Sequence, residues 1–182
     1  MNLDSKYPMH AKTVNFRQDK DCDCKHPSGN KVIFEISYGN LGPLDLTFDE
    51  VTSFQTINQP VASVAINTSC EAVRNVIIEF TGILNVTTTV SATSTLAFTL
   101  FRICKDTGAS QPLSTVSYLV ADIFGGITTS HTLVFRFPIC DDDCQDCCTY
   151  VLELSNIYNL DFGTITYAVN GTLSALAIVS AD

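Results

Sequence analysis

Tryptophan is absent from this 182-residue chain, methionine occurs twice, and charged side chains make up only 16%. So little charge beside 46% hydrophobic content excludes a disordered chain and calls for a packed core. With no Trp and 9% aromatic residues, the stacking platforms of a sugar-processing enzyme are poorly supplied. No apolar run approaches a membrane span, and residues 1–24 hold no apolar stretch of signal-peptide length. Basic residues are scarce too, 10 against 19 acidic, for a formal net charge of −9. Nucleic acid and anionic membrane are therefore poor partners, since both repel an acidic surface.

Motifs that carry catalysis are missing as well. There is no G-x-S-x-G elbow, no H-E-x-x-H, no phosphate-binding loop and no G-x-G-x-x-G. In the body of the chain the one histidine is His131, between Ser130 and Thr132. A histidine in a strand is far more often a surface or edge residue than a general base. Asp141-Asp142-Asp143 lacks the glycine-punctuated ladder of a calcium loop and reads as a solvated acidic turn. The expectation is a protein that is not an enzyme and takes no cofactor.

What is present is strand composition. Val, Ile, Thr, Phe and Leu dominate from residue 31 onward, in runs separated by turn residues. The clearest strands are predicted at 31–37, 61–68, 75–90, 94–104, 129–139, 147–157 and 163–179, with a weaker one near 114–120. Across 149–154, Tyr150, Leu152 and Leu154 alternate with Thr149, Val151 and Glu153, which predicts one buried face. No window of ten or more residues carries a helical repeat. About eight strands predict an all-β, two-sheet sandwich of jelly-roll type over residues 31–182. Residues 1–30 are a different kind of sequence, polar and broken by Pro8, Pro27 and Gly29, and are expected to form a flexible N-terminal connector arm. At roughly 3.3 Å per residue such an arm reaches on the order of 100 Å. The uncharged stretch 85–100 is a template for strand addition if it lies at a sheet edge.

Eight cysteines remain to be explained: Cys22, Cys24, Cys70, Cys104, Cys140, Cys144, Cys147 and Cys148. A zinc site is one reading, although the adjacent Cys147 and Cys148 suit tetrahedral convergence badly. A redox C-x-x-C is formally present at Cys144 and Cys147 but leads into a strand instead of opening a helix. Disulfides are the leading reading. Side chains of Cys147 and Cys148 point to opposite faces if they begin a strand, whereas Cys22 and Cys24 share a face if extended. Cys22, Cys24, Cys140, Cys144, Cys147 and Cys148 are the candidates for bridges between subunits, with Cys70 and Cys104 as further disulfide candidates. Four bridges within one chain are the plainer alternative. Each bridge contributes roughly 2–4 kcal/mol by restricting the unfolded chain.

Three segments carry a resemblance: FRIC at 101–104, CDDDCQDCCTY at 140–150 and NGTLSALAI at 170–178. They look like an uncharacterised family of small, Cys-rich clostridial proteins. More loosely, the layout resembles the endospore appendage subunits of spore-forming bacilli, jelly rolls with a cysteine-bearing connector that stack by sheet augmentation. Cys22 and Cys24 match those connector cysteines in role but not in spacing, since adjacent cysteines are usual there. The resemblance implies a homopolymer, a disulfide-cross-linked fibre at an extracellular or spore surface, exposed when the mother cell lyses. It leaves open an anchoring or capping protein. Two other readings share the fold: a jelly-roll binding module, lectin-like or a trimeric display head, and a non-fibrous spore-coat component.

Overall fold

The computed structural model describes residues 31–49, 53–66, 73–104, 108–123, 125–139 and 148–179. All regular structure among them is β: β1 (Lys31–Phe48), β2 (Ser53–Ile66), β3 (Val73–Thr88), β4 (Ala92–Cys104), β5 (Ser110–Ile123), β6 (Thr128–Ile139), β7 (Cys148–Asn159) and β8 (Gly163–Val179). Sheet one has the order β1-β8-β3-β6 and sheet two the order β2-β7-β4-β5. Every pairing is antiparallel. Strands 1 and 8, 2 and 7, 3 and 6, and 4 and 5 are partners, so the chain is one long hairpin ribbon rolled into two facing sheets. That is the jelly roll expected from the sequence.

Alternation builds the core. Ile78, Phe80, Leu84 and Val86 of β3, Leu96, Phe98 and Leu100 of β4, and Ile165, Tyr167, Val169, Leu173, Ala175 and Ala177 of β8 all point between the sheets. Tyr150, Leu152 and Leu154 are buried, as the alternation over 149–154 predicts. Phe135 sits at the centre, its ring centroid 5.1 Å from Phe98 and 6.0 Å from Phe80.

Edge strands β1, β2 and β5 run longer than the sequence suggested, because prolines and glycines in them read as ends, while β6 matches its expected span to within one residue. Each edge strand carries one proline: Pro43 in β1, Pro60 in β2, Pro112 in β5 and Pro138 in β6. The interior strands β3, β4, β7 and β8 carry none. A proline cannot donate to a ladder, so it is tolerated where one side of the strand has no neighbour. The pairing register shifts beside three of them, between Leu41 and Leu44, between Pro60 and Ala62, and where Phe101 meets Pro112. A further shift, between Thr56 and Gln59, contains Asn58 at φ 51°, a left-handed conformation that asparagine tolerates. The uncharged stretch 85–100 falls in β3, β4 and their connection. Both strands are interior, so it offers no free edge.

The two sides of the sandwich differ. At Gly39 of β1 an added Cβ would fall 2.2 Å from the Val61 carbonyl oxygen and 2.4 Å from the Ala62 Cβ, so only glycine lets β2 cross this close. On the opposite side β5 and β6 touch little beyond an edge-on contact of Tyr118 with His131.

Candidate functional site at the sulfur end

Antiparallel pairing gives the sandwich two ends. At one, Lys31 meets Val179, Ile66 and Cys104 meet Cys148, and Val76 meets Ile139. The connections leaving this end are β2 to β3 (67–72), β4 to β5 (105–109) and β6 to β7 (140–147), together with the entry into β1. Those three connections and the strand residues bordering them carry Cys70, Cys104, Cys140, Cys144, Cys147 and Cys148 in the sequence, and Cys22 and Cys24 precede β1. The connections at the other end contain none.

Two cysteines lie among the described residues. Cys104 closes β4 and Cys148 opens β7; they are direct register partners, with Sγ atoms 3.0 Å apart. Both face inward, because residues 100 and 152 of the same strands point into the core. Cys148 is only 4% exposed and Cys104 is half-buried against the core. Cys148 takes part in a disulfide, so the Cys104 sulfur lies against a bridged neighbour. Cys148 is thus directed inward. Cys22, Cys24, Cys70, Cys140, Cys144 and Cys147 lie outside the described residues, as does the proposed connector arm. Among the described residues no group of three His, Cys, Asp or Glu side chains could hold a metal ion, and no helix is long and apolar enough to cross a membrane.

The opposite, polar end is tied by hydrogen bonds. Buried Ser94 donates to Asn159 Oδ1 at 2.7 Å and pairs with the Tyr167 hydroxyl at 2.8 Å. The Asn159 amide donates in turn to the Asp161 carbonyl, while the Thr93 N–H donates to the Asp161 carboxylate at 2.9 Å. Burial pushes the Tyr167 phenol up to about 12, opposed by the Ser94 hydrogen bond, which lowers it. Thr87 and Thr128 add a hydroxyl pair at 2.7 Å across β3 and β6. None of this network was legible as a site, since Ser94, Asn159 and Tyr167 are far apart in sequence.

His131 sits on edge strand β6, half-buried, with its Nε2 3.0 Å from the Thr129 hydroxyl and its ring edge-on to Tyr118. No carboxylate paired with it is found among the described residues.

Outside the core, sheet one carries an apolar stripe. Val32, Phe34, Ile36 and Tyr38 alternate along the free lower half of β1 and are all exposed, flanked by Ile178 of β8. Val134 of β6 is exposed on the same outer face.

These features define an eight-stranded jelly-roll domain with Cys104 and Cys148 paired in register at one end. The chain belongs to the family described as Domain of unknown function (DUF4489), which matches residues 46–178. No curated protein sequence matches it. Among solved structures it is similar to that of infectious bursal disease virus, Gt strain, at 13% identity over 84% of this chain and 38% of that chain, TM-score 0.46. It is also similar to the VP2 subviral particle of the same virus, at 12% identity over 84% and 38%, TM-score 0.44. A third likeness is to the CBM22-1 xylan-binding domain of Paenibacillus barcinonensis Xyn10C, at 13% identity over 86% of this chain and 99% of that one, TM-score 0.31. The chain spans less than half the length of the viral chains it matches.

Proposed function

We propose that the protein is a non-enzymatic structural subunit that associates with copies of itself through β-edges and is locked by disulfides, as a fibre at an extracellular or spore surface. The observation that carries this reading is that three connections leaving one end of the jelly roll, with the strand residues bordering them, carry six of the eight cysteines. Buried Cys148 serves the domain itself. Cys22 and Cys24, upstream of β1, are the thiols that reach a neighbour, with Cys140, Cys144 and Cys147 as their mates. Each bridge joins two thiols with loss of two protons and two electrons to an oxidant such as dioxygen or a small disulfide.

The test uses the full chain and the double variant Cys22→Ser with Cys24→Ser. Wild type is expected to give a ladder or retained polymer on non-reducing gels and filaments by negative stain, both shortened by reductant. The double variant is expected to lose the ladder. Peptide mapping that places every bridge within one polypeptide, or recovery of stoichiometric zinc, overturns the reading.

A binding module is the second reading, favoured by Phe54, exposed on the outer face of sheet two directly opposite Tyr158. Such a module runs as one discrete species on a sizing column, with or without reductant.

A further inference from the structure

Four alternate residues of β1 present large apolar side chains to solvent: Val32 at 63% exposure, Phe34 at 60%, Ile36 at 52% and Tyr38 at 84%. They occupy residues 31–38, below the point where β2 crosses β1 at Gly39 and above the first residue of the strand. An edge stretch that pairs outward with no described strand, is apolar and is free of proline is a template for another strand. We infer that residues 31–38 of β1 add antiparallel to the free edge of β6 in a second copy of this chain, continuing sheet one from copy to copy. This names the joint within the self-association reading above and rests on it.

Strand order supports this partner. Four antiparallel strands in the order β1-β8-β3-β6 leave β1 and β6 running in opposite directions at the two margins. A second copy in the same orientation therefore brings β1 antiparallel to β6 with no rotation, and the contact repeats without closing. Sheet registers also fix which side chains meet. One row crosses the sheet as Tyr38, Thr172, Thr81 and Val134; another as Phe34, Leu176, Ile77 and Pro138. A level copy sets Tyr38 beside Val134, itself 62% exposed, and Phe34 beside Pro138. Residue 36 then lies opposite Arg136, whose guanidinium is flanked diagonally by the Phe34 and Tyr38 rings. A cation between two aromatic faces is electrostatic complementarity that neither edge has alone. Eight residues make a ladder about 27 Å long, a contact at the narrow end of stable interfaces, which start near roughly 1,000 Å². Without covalent bridges the joint should dissociate on dilution.

Two full-length variants test the joint: Phe34→Glu with Tyr38→Glu on β1, and Val134→Glu on β6. All three side chains are exposed, so circular dichroism and melting should match wild type. In sedimentation velocity under reductant, wild type should associate with rising concentration, and each variant should need at least a tenfold higher concentration. Mixed one to one, the variants should form dimers and nothing longer, because each retains the edge the other lost. If wild type associates and the Val134→Glu protein associates equally well, the β6 edge is not the partner and this inference fails while self-association stands. If wild type stays monomeric both in reductant and after oxidation, the self-association reading itself fails.

Discussion

At the polar end, Asn159, Ser94, Tyr167 and Asp161 satisfy one another's hydrogen bonds; at the sulfur end, Cys104 and Cys148 face each other as register partners. Both ends close the same two sheets. Their dependence on surroundings is opposite. Hydrogen bonds between neutral groups respond to packing and hardly to oxidants, whereas a disulfide exists only where the potential permits it. One end is therefore fixed by folding alone, and the other takes its final form from the medium.

The largest break in this comparison should come from Asn159→Ala. It leaves the Asp161 carbonyl without its donor and removes one of the two partners of the Ser94 hydroxyl, which keeps Tyr167; an unsatisfied group costs about 1–3 kcal/mol and a lost hydrogen bond about 0.5–1.5 kcal/mol. A loss of about 3 kcal/mol in urea unfolding is expected, the same with and without reductant. Cys148→Ala should cost about 2–3 kcal/mol in oxidising buffer, from the bridge it removes. In reductant the difference from wild type should shrink to the small packing change of one sulfur. An equal loss in both buffers contradicts the assignment of oxidant dependence to this end.

The smallest effect, and the sharpest in pH, belongs to Tyr167→Phe. Near neutral pH it should lose about 1 kcal/mol with the Ser94 hydrogen bond. In the folded protein the phenol is held up to about 12, against an ordinary 10.0. Between those values the folded state binds the proton more tightly than the unfolded state does. The stabilisation is complete below pH 10 and is lost as pH rises through 12. Alkaline unfolding curves should therefore fall more steeply over pH 10–12 for wild type than for the Phe variant. Parallel curves would mean that the hydroxyl is not held protonated by burial.

Much of the architecture could be read from the amino-acid order. The alternation at Tyr150, Leu152 and Leu154 and the eight β-rich runs led directly to a two-sheet sandwich. What misled was punctuation: Gly39, Gly42 and Pro43 looked like the end of β1, and Pro60 like the boundary of β2. These residues break a strand only if both its sides must be paired, and that condition depends on sheet order, which local pattern does not encode. The convergence of the cysteines has the same origin. In an alternating up-and-down path every second connection returns to one end, and Cys70, Cys104 and the 140–148 cluster all fall on connections of one parity. That relation appears once strands are counted and paired. The Ser94–Asn159–Tyr167 network had no sequence signal at all, since its members come from three strands and each is an ordinary strand residue.

The lone prolines of β1, β2, β5 and β6 bear on slippage. A strand approaching an edge by backbone pairing can usually slide two residues along and find an equivalent ladder, since side chains recur on the same face with that step. A missing donor at Pro138, and a kink at Pro43, interrupt the sequence of equivalent positions. An incoming strand displaced along either margin meets a gap where a bond was due. Such a margin admits few alignments, so a wrong one is quickly abandoned.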